Sequence, residues 1–243
     1  MLILAVDTTS EVGGAAIFEG EECLASVAND GPANIYSITL FQMVDRLVAE
    51  ARAKAHAQLK ALSDIELYAV TNGPGSFTGI RVGLAAAQGW AKAFGRPVLG
   101  VSVLEALVEE GQPKTELAVP ILDARRGEFF LQAFRGTPEG GVTRFVPEGD
   151  GLVLKPEGVN RFIAERLSRG GPATCLVREH DRAVLGLRES LPADLVWRSV
   201  SRTLLRAVAR LALCAASRGE LESPADLDAY YIRRSDAELH WKE

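Results

Sequence analysis

The chain opens with three short apolar runs separated by turn residues. They cover residues 2–6, 13–18 and 23–27. Runs of this length predict consecutive β-strands, and the glycine and polar residues between them favour tight antiparallel connections. A segment of helical periodicity follows from residue 34 to about residue 54, with Asn34 placed to cap it.

After the first helix, strand-like and helical segments alternate. Buried strands are predicted at 65–72 and 97–101, and helices at 80–94 and 102–110. The glycine-rich residues 73–79 join the first of these strands to its helix. This alternation favours a mostly parallel α/β layer added to the opening meander.

The same pattern starts again in the second half of the chain. Residues 117–122 and 128–135 predict two strands around a turn. Residues 136–151 are rich in Gly, Pro and Glu, which predicts a loop or an irregular hairpin. Further helices are expected at about 156–168 and 199–217.

Two strand-turn-strand segments, each with an aspartate at the start of its turn, indicate that the chain consists of two related halves. We assign residues 1–102 to an N-terminal lobe, together with the returning helix at about 199–217. Residues 103–198 are assigned to a smaller C-terminal lobe, and residues 218–243 to a tail. The prediction is an α/β protein of two lobes.

The composition is that of an ordinary globular protein, with 47% hydrophobic and 24% charged residues. The net charge is −5 and the pI is near 5.4. A protein that holds nucleic acid mainly by itself has a basic excess, because neutralising phosphates dominates that affinity. A partner would therefore provide most of the binding affinity for any RNA.

The cysteines are odd in number and far apart, which favours reduced thiols over a disulfide framework. They are Cys23, Cys175 and Cys214. The apolar N-terminus lacks a basic flank and meets Asp7 almost at once, which argues against a signal peptide. No run approaches the roughly 18 apolar residues that span a bilayer. We expect a cytoplasmic protein without a membrane segment.

The first candidate site ends the first predicted strand. Asp7, Thr8, Thr9 and Ser10 combine a carboxylate with hydroxyls and backbone amides. Such a turn can cradle a phosphate while the carboxylate orients a metal or a water molecule. The alternative is that these residues only shape a strand-to-strand turn.

The glycine-rich loop after residue 72 is the second candidate. It lies between a predicted strand and a predicted helix, where free backbone amides favour anions. The lysine of a Walker loop is missing, and a purely structural connector packed by Phe77 is an equally open alternative. The residues that would contact phosphate are Gly73, Gly75, Ser76, Thr78 and Gly79.

Small residues recur every four positions along the helix that follows this loop. A stripe of small residues, called bare because it has almost no side chains, lets a second helix approach closely. That helix belongs either to the same chain or to another subunit. The first helix carries an apolar arc wider than one core contact requires, which favours another subunit. An arginine on the stripe should then abolish docking without unfolding the chain. The predicted partner interface consists of Tyr36, Leu40, Met43, Leu47, Gly79, Gly83, Ala87 and Ala91.

Residue spacing supports no metal site. The three histidines are isolated from one another, and none stands one helical turn from another. They are His56, His180 and His240. The prediction is that the chain holds no metal.

The second strand-to-strand turn, at residues 123–127, differs from the first. It offers Arg125 and Arg126 with a single glycine instead of a close-fitting backbone cradle. These arginines suit contact with RNA, a nucleotide or an acidic partner, and the alternative is a solvated turn.

Several of these segments together resemble the TsaB family, also called YeaZ. The loop at residues 73–83 is the most specific of them. The others follow in the family's order along nearly the whole chain, at residues 2–8, 100–102, 123–128 and 231–238. The resemblance implies an actin-like ATPase fold whose two lobes are ribonuclease-H-like.

The resemblance also implies the loss of an active site. Val103 and Leu107 stand where TsaD, the related catalytic subunit, carries the two histidines of a metal site. Neither side chain has a lone pair for a metal. The family likeness thus implies no catalytic residue and no cofactor beyond weak nucleotide binding.

TsaB-like proteins bind TsaD and, with the ATPase TsaE, support formation of N6-threonylcarbamoyladenosine at position 37 of tRNAs that read codons beginning with A. The resemblance implies these partners here, with tRNA reached indirectly through the complex and a homodimer when TsaD is absent. Many relatives carry histidine where this chain has Tyr36. That departure is expected to alter interface detail only.

Other classes remain open. A sugar-kinase-like (ASKHA-type) ATP-dependent phosphotransferase would use Asp7 and the turns at Thr8 and Asp123, although the second turn is poor in glycine. An inactive structural homodimer needs no site. A metallopeptidase would require the histidine pair that the sequence lacks.

Overall fold

The structure is a computed structural model that describes residues 1–29, 35–53, 59–139, 142–169, 171–179 and 181–233. The chain divides into two compact units. Unit 1 consists of residues 1–106 and 203–230, and unit 2 of residues 107–202 and 231–243. None of the helices within the described ranges has the length and hydrophobicity needed to span a membrane.

Unit 1 is built on a five-stranded sheet in the order β3-β2-β1-β4-β5. Strand β1 pairs antiparallel with β2 and parallel with β4, so the predicted opening meander is confirmed. The elements are β1 Leu2–Asp7, β2 Gly14–Glu19, β3 Glu22–Ala28, α1 Tyr36–Ala53, β4 Leu67–Gly73, α2 Phe77–Phe94, β5 Val98–Ser102, α3 Val103–Gly111, which continues into unit 2, and α6 Leu205–Arg218.

The sheet of unit 1 is buried on both faces, which explains why β1 is apolar at consecutive positions. Leu4 and Val6 face α1 and α2 in one hydrophobic core. The alternate residues, such as Ile3 and Ala5, are equally buried and lie on the face that carries α6. Burial on both faces positions the carboxyl end of β1 deep in the unit.

Unit 2 repeats this design. Its sheet has the order β10-β9-β6-β7-β8, which matches unit 1 strand for strand. One hydrophobic core joins it to α4 and α5. Two such sheets are the ribonuclease-H-like arrangement and its duplication in the actin-like ATPase fold, as predicted. The elements are β6 Leu117–Asp123, β7 Phe129–Glu139, β8 Val142–Leu154, α4 Pro156–Leu167, β9 Ala173–Arg178, α5 Arg182–Leu185 and β10 Val196–Val200.

Of the two alternatives predicted for residues 136–151, the irregular hairpin is confirmed and the loop is wrong. This stretch belongs to a long antiparallel hairpin in which β8 is the edge strand, with one register shift near Ala133. Pro147 and the glycines of β8 are tolerated because an edge strand needs partners on one side only. The Gly and Pro content is compatible with either alternative, and cross-strand pairing selects the hairpin.

Several element boundaries also differ from the prediction. Helix α2 begins at Phe77 instead of residue 80, because Ser76 caps it. Helix α6 begins at Leu205, since residues 196–200 form the edge strand β10. Strands β9 and β10 were not predicted. Asn34, the predicted cap of α1, lies outside the described residues.

Candidate functional site

Asp7 ends β1 and is completely buried. Its Oδ1 atom accepts three hydrogen bonds from the same chain. The donors are the Thr9 amide at 3.0 Å, the Thr9 hydroxyl at 2.6 Å and the Thr71 hydroxyl at 2.9 Å. The carboxylate therefore organises the turn after β1 and its junction with β4.

The loop after β4 closes directly onto this turn. The Ser76 amide donates to the Thr9 carbonyl oxygen at 2.7 Å, and a Cβ at Gly75 would lie 2.5 Å from that oxygen. A Cβ at Gly79 would lie 1.9 Å from the Thr8 carbonyl oxygen. Glycine is required at both positions because two backbone segments of the chain touch there.

Helix α2 starts where the loop ends. The Ser76 side chain accepts a hydrogen bond from the Gly79 amide at 3.2 Å, which satisfies one of the free donors of the first turn. Thr78 is exposed in that turn. Arg81 follows, with its guanidinium 3.9 Å from the centre of the Phe77 ring.

The other end of the loop meets a segment that the sequence did not single out. The Tyr230 amide donates to the Asn72 carbonyl oxygen at 2.8 Å. Gly73 has a φ of 127°, and a Cβ there would lie 2.4 Å from the Tyr230 carbonyl oxygen. Only glycine fits this position, on conformational and steric grounds.

The structure thus brings most of the predicted phosphate-turn residues together. Their mutual contacts place the chain's own backbone and hydroxyl groups in the turn. Gly75, Ser76 and Thr78 are exposed, and the other residues of the set are buried. Weak nucleotide binding at this turn stays a prediction. The residues in mutual contact are Asp7, Thr8, Thr9, Gly75, Ser76 and Gly79, with Gly73 against the backbone of residue 230.

Tyr36 belongs to the same turn and not to an outward surface. Its side chain is buried, and its hydroxyl donates to the Ser10 carbonyl oxygen at 3.0 Å. A Cβ at Gly13 would lie 2.4 Å from that hydroxyl. The predicted interface role of Tyr36 is therefore corrected to packing on the first turn.

The other residues of the predicted partner interface are also buried, so the prediction that they form a surface is wrong. A Cβ at Gly83 would lie 2.4 Å from the Thr8 hydroxyl and 3.2 Å from a Val70 methyl group, so the bare stripe approaches the chain's own sheet. Arginine at such a position would break the core instead of blocking a partner. The residues that face inward are Leu40, Met43, Leu47, Gly79, Gly83, Ala87 and Ala91.

A different face of the same two helices is exposed. On and just before α1, Ile35, Ile38 and Phe41 are exposed to 48%, 61% and 52%. The Phe41 ring meets the Trp90 ring of α2 edge-on, with centroids 5.6 Å apart. On the outer side of α2, Ala85, Gly89 and Ala93 are exposed at four-residue intervals. Apolar and small residues thus form one outward surface, which we call the α1–α2 face.

The second turn, in unit 2, has a different construction. Arg125 and Arg126 adopt positive φ angles of 64° and 59°, followed by Gly127. The Arg125 amide donates to Asp123 Oδ1 at 2.7 Å. Next to the turn, Arg233 forms an ion pair with Glu128 at 3.2 Å. Both predicted arginines are exposed at the tip of the turn.

Asp181 lies behind this second turn. Its side chain accepts hydrogen bonds from the amides of Val184 at 3.1 Å and Asp123 at 3.4 Å. Burial raises the pKa of the Asp181 carboxyl, and the charge of Asp123 raises it further. The two amide hydrogen bonds and the charge of Arg178 lower it. Burial is the dominant effect.

Within the described ranges, no group of three or more histidine, cysteine, aspartate or glutamate side chains could hold a metal ion. His56, His180 and His240 lie outside the described residues. Val103 and Leu107 are fully buried on α3.

Known proteins resemble this chain over most of its length. The family model of TsaD, tRNA N6-adenosine threonylcarbamoyltransferase, matches residues 36–142. The tRNA threonylcarbamoyladenosine biosynthesis protein TsaB of Escherichia coli is 31% identical over 172 residues, which cover 70% of this chain and 67% of the relative. The TsaB protein of Bacillus subtilis is 32% identical over 77% of this chain and 70% of its own length.

A solved structure agrees with these relatives. The crystal structure of an uncharacterized Pseudomonas aeruginosa protein with similarity to peptidase YeaZ superposes with a TM-score of 0.73 at 25% identity. The match covers 96% of this chain and 99% of the other. The chain therefore belongs to the TsaB (YeaZ) family of tRNA threonylcarbamoyladenosine biosynthesis proteins.

Proposed function

We propose that this chain is a non-catalytic subunit that docks on TsaD through the α1–α2 face. With TsaE, the complex forms N6-threonylcarbamoyladenosine at position 37 of tRNAs that read codons beginning with A. The observation that carries the proposal is the exposure of Ile38 and Phe41 beside the bare outer side of α2. Large apolar side chains exposed side by side are typical of a surface that another protein covers.

Gly89 supports the proposal independently. It lies in the interior of α2, and none of the described residues comes within 4 Å of a Cβ built on it. An exposed glycine inside a helix costs about 1 kcal/mol relative to alanine. No contact within the described ranges requires that cost, whereas a closely approaching partner helix would.

The first turn supports a non-catalytic role. Asp7 is the carboxylate that a phosphotransferase of this fold would use, and here its Oδ1 atom holds the Thr9 and Thr71 donors. The loop at Gly75 and Ser76 lies against the same turn. A group engaged in this way contributes to the fold more than to chemistry on a bound substrate.

The decisive experiment changes Gly89. Leucine at this position projects into open space and improves helix propensity, so Gly89→Leu should keep or raise the melting temperature of the isolated chain. It should also abolish co-elution with TsaD, because the added side chain separates the two surfaces. Gly89→Ala is the matched control, with equal or higher stability and largely retained docking. Normal co-elution of Gly89→Leu would contradict the proposed surface.

A second pair of variants tests the apolar part of the face. Phe41→Glu should remove docking to TsaD, whereas Leu185→Glu, at an exposed leucine of unit 2, should not. Both changes place a carboxylate at a solvent-exposed apolar position, so general effects of charge are matched. Equal loss in the two variants would place the docking surface elsewhere.

The same face serves a second copy of the chain when TsaD is absent. Light scattering should then show a dimer for the isolated chain and a monomer for Gly89→Leu. Addition of TsaD should convert the homodimer into a heterodimer, because both partners compete for one surface. A homodimer that survives Gly89→Leu uses a different surface.

A further inference from the structure

Residues 221–230 run along the sheet of unit 1 after the last helix, as a segment that is neither a helix nor a strand of the sheet. Gly219 ends α6 in the left-handed conformation, and its amide donates to the carbonyl oxygens of Ala215 and Ala216. The helix is therefore closed by its own cap before this segment begins. After Tyr230 the chain belongs to unit 2. We call residues 221–230 the C-terminal strap.

Hydrogen bonds hold the first part of the C-terminal strap along β5. The amides of Val98 and Glu222 each donate to the carbonyl oxygen of the other residue, at 3.1 and 2.9 Å. The Gly100 amide donates to the Glu222 carboxylate at 2.9 Å. Because β4 pairs with the other edge of β5, the strap covers the edge of the sheet that would otherwise be open.

The last part of the strap lies on the carboxyl end of β4. Asn72 Nδ2 donates to the Asp228 carbonyl oxygen at 3.3 Å, and the Tyr230 amide donates to the Asn72 carbonyl oxygen at 2.8 Å. The Tyr230 carbonyl oxygen lies against Gly73, the first residue of the glycine-rich loop. The strap therefore fixes one end of that loop.

Few apolar contacts support these hydrogen bonds. The structure describes the whole strap, and within it only Leu227 is buried, as part of the hydrophobic core of unit 1. The Leu227 carbonyl oxygen accepts a hydrogen bond from Gln88 Nε2 at 2.8 Å. Segments with little buried apolar area and with hydrogen bonds close to solvent open locally at a lower free energy than the core does.

Two buried polar atoms next to the strap lack hydrogen-bond partners. They are Asn72 Oδ1 and Ser102 Oγ, and neither makes a hydrogen bond within the described part of the chain. Asn72 is an extra residue in β4, since Thr71 pairs with Val101 and Gly73 pairs with Ser102. Such a bulge redirects a side chain away from the regular pattern of the strand.

The surroundings of Gly100 place these atoms beneath the strap. A Cβ at Gly100 would lie 2.8 Å from Asn72 Nδ2 and 2.9 Å from Leu227 Cδ1. Residues two apart on a strand share a face, so Ser102 lies on the face that the strap covers. A buried polar atom without a partner destabilises the closed arrangement, and water reaches it when the cover is removed.

We propose that the C-terminal strap opens and closes while the rest of unit 1 stays folded, with Asn72 Oδ1 and Ser102 Oγ favouring the open state. Opening uncovers the outer edge of β5 and releases Gly73 at the start of the glycine-rich loop. The carboxyl ends of parallel strands are where open α/β sheets bind ligands, so the strap controls access to that end of the sheet. The proposal does not rest on docking to TsaD.

Native-state hydrogen exchange of the isolated full-length chain, followed by NMR, tests the proposal. The reporter amides, which bond across the boundary between strap and sheet, are those of Val98, Gly100, Glu222 and Tyr230. The amides of Leu99 and Val101 point towards β4 instead, because successive amides alternate between the edges of a strand. They are the reference. The reporters should share one opening equilibrium constant, at least about tenfold larger than that of the reference amides.

Two pairs of variants separate strap opening from global unfolding. Ser102→Ala removes an unpartnered atom and should slow exchange of the reporters about fivefold or more, whereas Ser26→Ala, at an exposed serine of β3, should leave it unchanged. Leu227→Ala should speed the reporters at least about tenfold. Leu24→Ala truncates a buried leucine of the same core outside the strap. It should speed the reference amides but not the reporters, because strap opening leaves Leu24 packed.

Three results would overturn the proposal. The first is a common opening equilibrium constant for reporter and reference amides in the wild-type chain. The second is a Leu24→Ala chain in which the reporters speed up as much as they do in Leu227→Ala. The third is unchanged reporter exchange in Ser102→Ala, which decides the case by itself if a leucine variant fails to fold. Because TsaD is absent throughout, failure of the docking proposal leaves these outcomes unchanged.

Discussion

The Thr8 hydroxyl donates a hydrogen bond to the Gly79 carbonyl oxygen, with 2.7 Å between the two oxygens. This contact joins the turn after β1 to the first turn of α2, 71 residues later in the chain. A Cβ at Gly83 would lie 2.4 Å from the same hydroxyl. Small residues on the inner side of α2 therefore serve the fit between helix and turn.

This contact predicts coupling between positions 8 and 83. Gly83→Ala should lower the free energy of unfolding by about 1–3 kcal/mol through overpacking, and Thr8→Ala by about 1–2 kcal/mol through the lost buried hydrogen bond. The double variant should lose at least about 1 kcal/mol less than the sum, because the new methyl group occupies the space that the hydroxyl leaves. Urea denaturation of the four proteins measures the cycle. Additive effects would mean that the two positions do not touch.

We expect Asp7 to affect activity only through the stability of the folded chain. Asp7→Ala leaves three buried donors without their acceptor, so the free energy of unfolding should fall by about 3 kcal/mol or more. Asp7→Asn keeps one oxygen acceptor and should cost less. In a reconstituted tRNA modification assay, activity of both variants should follow the folded fraction measured by denaturation. A fully folded Asp7→Asn chain that gives no activity would instead indicate a chemical role for Asp7.

The raised pKa of Asp181 predicts that the free energy of unfolding depends on pH. Its pKa is raised by burial in the folded chain, so its favourable contribution is fully present below the ordinary aspartate pKa of 3.8 and is lost as the pH rises through the folded pKa. Asp181→Asn keeps a capping acceptor for the Val184 amide and removes this loss. The variant should therefore become more stable relative to wild type as the pH rises above the ordinary aspartate pKa of 3.8.

The control for this series is Asp194→Asn, which changes an exposed aspartate of the same unit. Its stability difference from wild type should stay nearly constant over the same pH range. If both variants follow the same pH curve, the raised pKa of Asp181 is not what changes the stability.

The cysteines should differ in reactivity. Cys214 is exposed on α6, whereas Cys175 is fully buried in β9, and burial raises the pKa of its thiol. Since the thiolate is the reactive form, a thiol reagent should modify Cys214 rapidly and Cys175 only as fast as the chain unfolds. Kinetics of labelling in wild type and Cys214→Ser measure this difference. A fast phase that persists in Cys214→Ser at full amplitude would contradict it.

Local sequence was sufficient for much of the architecture. Apolar runs at 2–6, 13–18 and 23–27 predicted the opening strands within one residue or two, because each run is bounded by turn residues. For residues 136–151 the sequence left a loop and an irregular hairpin open, since their Gly and Pro content favours loops while the strands pair through long-range contacts. The candidate first turn was likewise visible in Asp7-Thr8-Thr9, but its closure by residues 75–79 was not.

What the sequence determined by itself is most of the elements, their order and the family, because these follow from local periodicity, turn chemistry and motif strings. Strands β9 and β10 are the exceptions. Which surfaces remain exposed was decided only by the tertiary structure. Helix α2 has small residues on two sides, at 79, 83, 87 and 91 and at 85, 89 and 93, and nothing local distinguishes them. Packing against Thr8 and Val70 buries the first set and leaves the second exposed.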